Sequence, residues 1–162
     1  MAHRVEKEVR IFLEACENTQ YGFDGGPTLG RDGHENQYEW EVRIAGPPGS
    51  PYAGHAMWLT ITIPAGFPFA PPDIRFREPL IHCHVELPSR RVQPEAIGPW
   101  SPALTVVDYL VRVVELLQKA RIVDLVPANR DAARTYERDP EELQDAVLAQ
   151  LLQNEDLHGG DN

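Results

Sequence analysis

The spacing of apolar residues predicts a helix near the start of the chain. Within residues 3–19, apolar side chains recur every three or four positions, as expected for a helix with one face on a core. They are Val5, Val9, Phe12, Ala15 and Cys16. We therefore expect the Cys16 thiol to be buried. Arg4, Lys7 and Arg10 lie off this stripe and are expected to face solvent.

The following part of the chain has the pattern of β-strands. A short strand and a turn are predicted within residues 22–36, and three further segments are β-branched or alternate apolar with polar residues. These segments are 38–44, 57–63 and 73–77. Proline-rich turns at 46–51 and 67–72 join them. Connections this short predict a four-stranded antiparallel meander.

Residues 78–104 show no regular period and are rich in proline. A long segment without regular structure is usually functional or disordered. The apolar residues of this segment favour a packed loop. These anchors are Leu80, Ile81, Val85, Ile97 and Trp100. Helices are then predicted at 105–119, at 129–136 with Asn129 as the N-cap, and from Pro140 to about Gln153.

This order of elements predicts an α+β domain. It has an N-terminal helix, a four-stranded antiparallel meander, a long structured loop and then three helices. We expect residues 1–153 to form a single domain and residues 154–162 to form a flexible C-terminal tail.

Composition narrows the function classes. A net charge of −10 argues against nucleic acid or an anionic membrane as the main partner. Two cysteines are too few for a disulfide scaffold and favour a reducing compartment. No apolar stretch approaches the roughly 20 residues of a membrane-spanning helix, so we expect no direct membrane insertion. Cytoplasm or nucleus is expected, and an organelle stays open if a transit peptide was removed or the protein is part of an organellar complex.

Proline and tryptophan motifs occur along the chain in a characteristic order. They are Tyr38-Glu39-Trp40, residues 44–54 (IAGPPGSPYAG), residues 67–72 (FPFAPP), residues 100–105 (WSPALT) and Pro127-Ala128-Asn129. With these motifs the chain resembles the ubiquitin-conjugating enzyme family over nearly its whole length. The resemblance implies the family's UBC fold. It also implies the family chemistry, in which a cysteine carries ubiquitin as a thioester.

The resemblance places that cysteine in the long loop, between a His-Pro-Asn motif and the Trp-Ser-Pro-Ala motif. Counting from either motif, the position falls on Val92, which has no nucleophilic atom. No cysteine follows Cys83 in the chain. The nucleophile is therefore expected to be lost.

The His-Pro-Asn motif itself reads His82-Cys83-His84. His84 replaces the asparagine that supports the oxyanion in the family, and some active members use histidine there. Asp124 matches the family's acidic gate residue, and it is interpreted as an ordinary loop acid because no thioester is left to gate. Cys83 is either a structural side chain or, as an alternative, a substitute nucleophile beside two imidazoles.

No metal or other cofactor is predicted. His82, Cys83 and His84 are close along the chain, but neighbouring ligands cannot usually all face one ion, and no second cluster completes a site.

The resemblance further implies a surface for RING-type ligases. Basic residues of the first helix match Arg4 and Lys7, the loop aromatic matches Phe69, and the second loop matches Ser101-Pro102-Ala103. The alternative is that these loop residues only pack on one another. Inactive family variants that pair with an active enzyme usually lack the last two helices, which this chain keeps.

The sequence therefore predicts a non-catalytic binding or scaffold protein with the UBC fold. Its expected partners are proteins: a RING-type ligase, an active conjugating enzyme, a ubiquitin-like modifier, or the subunits of a large assembly. The alternative is an active but atypical conjugating enzyme that uses Cys83.

Overall fold

The computed structural model describes residues 2–158. The helices are α1 Ala2–Glu17, α2 Pro94–Ile97, α3 Val106–Gln118, α4 Arg130–Arg138 and α5 Pro140–His158, and the strands are β1 Asp24–Leu29, β2 Glu35–Ala45, β3 Ala56–Thr62 and β4 Asp73–Phe76. The strands form one antiparallel sheet in the order β1-β2-β3-β4, so the predicted α+β meander is confirmed. The predicted loop also contains the single turn of α2, which the sequence pattern does not predict.

The core lies between the sheet and the helices α1 and α3. Alternate residues of β2 and β3, such as Val42 and Leu59, are fully buried, as the period of two requires. Trp40 packs against Phe12 of α1, with the ring centroids 5.4 Å apart, and donates its indole N–H to Gln37 O at 2.7 Å. The aromatic ring is therefore buried while its one polar atom stays bonded.

Helix caps follow the sequence signals. Thr105 and Asp108 form a capping box at the start of α3, since each side chain accepts a hydrogen bond from the other's backbone N–H. The Asn129 side chain accepts from Ala132 N at 3.0 Å, which confirms the predicted cap of α4.

Helix α5 is longer than predicted. It continues to His158 instead of ending near Gln153. Polar side chains on its inner face hold it to the body: Gln150 accepts from Ile81 N at 2.7 Å, and Asn154 donates to Pro79 O at 3.0 Å. Glu155 also pairs with His55 at 2.6 Å. The first residues of the expected tail thus belong to the helix, and residues 159–162 lie outside the described residues.

Two side chains of α1 are placed differently from the prediction. The Cys16 thiol is partly rather than fully buried. Arg4 does not project freely into solvent: it is half-buried, donates to Glu8 at 3.0 Å and donates to Leu104 O at 2.8 Å. Lys7 and Arg10 are exposed as expected. Arg4 bends back because a buried carboxylate and a free carbonyl lie within its reach.

No helix within residues 2–158 is both long and apolar enough to cross a bilayer.

Glu8 joins α1 to α3. Its side chain is only 1% exposed, and its Oε2 accepts the backbone N–H of Val106 at 2.9 Å, 98 residues away in sequence. Val106 is the first residue of α3, where a backbone N–H has no partner within the helix and the helix dipole favours a negative charge. A single carboxylate therefore satisfies a helix terminus and fixes Arg4.

We expect Glu8→Ala to lower the free energy of unfolding by about 2–4 kcal/mol, because it leaves a buried N–H unpaired and releases Arg4. Urea unfolding followed by circular dichroism measures this loss. Glu6→Ala is the matched control, since Glu6 is exposed on the same helix. Equal unfolding free energies for the two variants would contradict the proposed link.

Candidate functional site

The candidate site is built on a hairpin that runs along the free edge of β4. Val85 and Val92 form a bridge within the hairpin, and Arg91 forms a bridge to Arg75 of β4. Val92 N donates to Ile74 O and Phe76 N donates to Arg90 O, both at 2.9 Å. The hairpin therefore extends the sheet by one short strand.

Val92 faces into the core. Its side chain is 1% exposed, while its neighbours Arg91 and Gln93 are exposed and partly exposed. Side chains of an extended segment alternate between its two faces, so Val92 points inward when Arg91 and Gln93 point outward. The sequence predicts Val92 at the position of the lost nucleophile. The structure buries the Val92 side chain, and Gln93 lines the cleft between the hairpin and residues 126–128, which we call the groove.

Gln93 is opposite His84 and is the residue that sequence reasoning missed. Its backbone N–H donates to His84 O at 2.8 Å, and its Oε1 lies 2.8 Å from His84 Nδ1. Its Oε1 also accepts from Ala128 N at 3.1 Å, and its Nε2 donates to Val126 O at 2.8 Å. One amide thus connects the hairpin to the segment that precedes α4. The polar–apolar–polar order of residues 91–93 was the only sequence signal for this orientation.

Backbone groups determine the tautomers of both histidines. Ile122 N donates to His84 Nε2 at 2.9 Å, so the proton of the neutral His84 ring lies on Nδ1 and is donated to Gln93. His84 N donates to His82 Nδ1 at 3.0 Å, so His82 carries its proton on Nε2 and donates it to Lys119 O at 2.7 Å. All four ring nitrogens are used in internal hydrogen bonds.

Burial keeps the two imidazoles neutral. It lowers the pKa of His82 to about 4, because the charged ring would lose its hydration. Burial also lowers the pKa of His84, against the opposing effect of its bond to Gln93, and the nearby Arg121 cation adds to the lowering. Neither ring is available to accept a proton without giving up a backbone hydrogen bond.

Cys83 lies beneath the groove and not in it. Its side chain is fully buried in a small cluster with Ala132, Ala133 and Leu143. Burial raises the pKa of its thiol, an effect that outweighs the opposing pull of Arg121. A nucleophilic cysteine needs an accessible thiolate, so these surroundings are those of a structural cysteine.

The groove is an open cleft of about 350 Å³ between the hairpin and residues 126–128. Glu86 and Glu95 line it together with Gln93 and Val126. Asp124 is exposed two residues before Val126, in a left-handed backbone conformation with φ 70° that aspartate tolerates better than most residues. Among residues 2–158, no group of three or more His, Cys, Asp or Glu side chains could hold a metal ion.

The predicted docking residues lie on parts that are joined to one another. Trp100 donates to Pro68 O at 2.8 Å and packs on Phe67, which links the loop of Phe69 to the loop that holds Ser101, Pro102 and Ala103. The Arg4 guanidinium lies 5.5 Å from the centre of the Phe67 ring and also bonds to Leu104 O.

Exposure separates these docking residues into two groups. Phe69 is 83% exposed, and Lys7, Ser101, Pro102 and Ala103 are also exposed. Arg4 is instead half-buried beneath them. It is therefore a support for this surface more than a part of it.

A family model and solved structures both match this chain over most of its length. The family model described as ubiquitin-conjugating enzyme matches residues 4–151. Among solved structures, the chain is similar to the E2 domain of a Toxoplasma gondii ubiquitin-conjugating enzyme, with a TM-score of 0.75 and 22% identity over 93% of this chain and 96% of that one. It is also similar to a protein assigned as a ubiquitin-conjugating enzyme from Plasmodium yoelii, with a TM-score of 0.77 and 27% identity over 94% and 93% of the two chains.

The buried histidines predict acid-sensitive stability. His82 binds a proton in the unfolded chain below its usual pKa of 6.5 but not in the folded chain until about pH 4. Stability is thus fully present above pH 6.5 and is lost as the pH falls towards 4. Between pH 7.5 and 5 we expect His82 alone to lower the unfolding free energy by about 2 kcal/mol, with His84 acting in the same direction.

Urea unfolding at a series of pH values measures this dependence. His82→Gln is expected to flatten the curve, whereas His34→Gln, at an exposed position, is expected to leave it unchanged. A wild-type unfolding free energy that stays constant from pH 7.5 to 5 would show that the rings are not buried in the neutral form.

Proposed function

Because the chain belongs to the ubiquitin-conjugating enzyme family, we propose that it is a non-catalytic member that acts as a binding or scaffold subunit. The observation that carries this proposal is the groove itself. Val92 is buried, the Gln93 amide bonds the hairpin to Val126 and Ala128, and the chain has no cysteine beyond Cys83. Ubiquitin transfer through a thioester requires an accessible thiolate, and neither residue supplies a sulfur atom.

The hydrogen bonds of His84 support the same proposal. A residue that stabilises an oxyanion must aim a free donor at the reacting carbonyl. His84 donates its single ring proton to Gln93 and accepts from Ile122 with the other nitrogen. The ring therefore serves as part of an internal brace.

The surface around Phe69 supports a binding role. A large exposed aromatic ring on a rigid proline-rich loop is a suitable anchor for a partner's groove. The family resemblance suggests a RING-type ligase or an active conjugating enzyme as the partner. The chain also retains α4 and α5. Inactive family variants that pair with an active enzyme usually lack these helices, so their presence favours a structural subunit in a larger assembly. A reducing compartment fits the two unpaired cysteines.

The alternative function is conjugation through Cys83. It requires the thiol to leave its cluster with Ala132, Ala133 and Leu143 and to ionise despite a raised pKa. Cys83→Ser tests it directly: ubiquitin transfer that is lost in this variant while the fold is kept would establish the alternative.

We expect the wild-type chain to form no ubiquitin thioester. The assay mixes it with activating enzyme, ATP and ubiquitin, and compares non-reducing gels with and without reductant. An active conjugating enzyme charged in parallel is the control. A reductant-sensitive band about one ubiquitin heavier than the chain would overturn the non-catalytic function.

The kind of partner is tested with Phe69→Ala. If a ligase binds this surface, we expect the variant to lose at least about tenfold in affinity, because an exposed aromatic anchor contributes about 2 kcal/mol or more to an interface. Co-purification from native extracts and titration with the recovered partner measure the loss. Leu29→Ala is the matched control, since Leu29 is 71% exposed at the end of β1. Equal binding by both variants would favour a structural subunit that uses another surface.

A further inference from the structure

We propose that Gln93, and not Val92, occupies the position from which a thiol could carry ubiquitin in this groove. We further propose that its amide fixes the hairpin to residues 122–129, and we call this set of bonds the joint. This inference rests on the proposed function, because it explains how a groove of this family is kept without its chemistry. It assigns to Gln93 a positioning role that no motif in the sequence indicates.

The first argument is orientation. A cysteine that carries ubiquitin must project its side chain into the groove. In this family the residue that matches His84 lies beside that cysteine, so the position sought is outward-facing and next to His84. Val92 points into the core between Val85 and β4. Gln93 is one residue further along and directly opposite His84. Any side chain at position 93 therefore begins where the groove is open.

The second argument is the length of the hairpin loop. Glu86 N donates to Arg91 O at 2.9 Å, so Leu87, Pro88, Ser89 and Arg90 form the loop. Arg90 has φ 66°, the left-handed conformation that closes such a turn, and its N–H donates to Glu86 O at 2.7 Å. One residue more or less in this loop reverses which of Val92 and Gln93 faces outward. A count along the sequence from flanking motifs cannot detect this change.

The third argument is what the amide does. Gln93 Oε1 accepts hydrogen bonds from His84 Nδ1 and Ala128 N, and Gln93 Nε2 donates to Val126 O. Ile122 N also donates to His84, and Asn129 N donates to Cys83 O at 3.0 Å. The segment from 122 to 129 is therefore bonded to residues 83, 84 and 93 at its two ends and at Val126 and Ala128. A cysteine has no second polar group, so it could not provide these three bonds. The joint and the thiol are mutually exclusive at this position.

The chemistry of a restored thiol is simple. In Gln93→Cys, the thiolate attacks the carbonyl carbon of a ubiquitin thioester and a new sulfur–carbon bond forms. The donor sulfur leaves with its electron pair and takes a proton from water. The His84 Nδ1–H, which loses its amide acceptor, becomes free to donate to the thiolate and favours the charged form.

The experiment compares Gln93→Cys, Val92→Cys and Leu87→Cys, the last at an exposed loop position. Native alkylation with N-ethylmaleimide, followed by peptide mass spectrometry, reports access to each thiol. We expect positions 93 and 87 to react at least about tenfold faster than position 92. Equal or faster alkylation at position 92 overturns the assignment. Circular dichroism checks that each variant is folded.

Transfer is measured with a ubiquitin mercaptoethanesulfonate thioester, which removes any need for docking to the activating enzyme. We expect a reductant-sensitive adduct on Gln93→Cys that forms about tenfold faster than on Leu87→Cys, with none on Val92→Cys. If Gln93→Cys reacts no faster than Leu87→Cys, the assignment is overturned while the non-catalytic function of the wild type still stands. An adduct mapped to Cys83 of the wild-type chain would overturn that function instead.

The bonds made by the Gln93 amide are tested without any added thiol, by hydrogen exchange of the wild type and of Gln93→Leu. The amides of Ile122 and Ala128 donate to His84 and Gln93, and we expect them to exchange at least about tenfold more slowly than in Gln93→Leu. Leucine is similar in size to glutamine but has no polar group. Unchanged exchange at these two amides would show that Gln93 does not hold the segment, whatever the cysteine variants do.

Discussion

The pairing of residues 90–92 with β4 is the interaction on which the groove depends. The two backbone hydrogen bonds to Ile74 and from Phe76 fix the hairpin on the sheet edge, and they determine that Val92 points inward. Because Val92 points inward, Gln93 faces outward. His84 lies opposite Gln93, and the segment before α4 is bonded to both residues. An edge strand is also protected in this way from pairing with another chain.

The polar side chains of the groove bond mainly to groups of the protein itself. Enzymes keep polar groups in their grooves free to meet substrate, and that freedom has an energetic cost. Here each ring nitrogen of His82 and His84 is hydrogen-bonded within the protein, as are the amide oxygen and nitrogen of Gln93. No buried side-chain polar atom in the described part of the chain lacks a partner. The polar groups of the groove therefore contribute to the packing of the hairpin against residues 122–129.

Local patterns predicted most of the fold. The strands followed from alternation and proline turns, α3 from its apolar face, and α4 from Asn129, because each depends on neighbours in sequence. The site depends on contacts that are distant in sequence. His84 bonds to Ile122 across 38 residues, Arg4 bonds to Leu104 across 100, and the direction of Val92 depends on the size of one loop. No periodicity records such contacts, so Arg4 was expected in solvent and Gln93 was overlooked. Gln150 and Asn154 also bond to residues distant in sequence, and these bonds hold the part of α5 that the sequence pattern does not predict.

The bond of Trp100 to Pro68 has a consequence for association. It ties the loop of Phe69 to the loop of Ser101, and Arg4 attaches both to α1. A partner that grips Phe69 therefore meets loops that are already ordered, and little conformational entropy is lost when the complex forms. Small interfaces usually fail because ordering two flexible loops cancels the gain from contact. Pre-ordered loops of this kind would let a contact centred on Phe69 form without the entropic cost of ordering them.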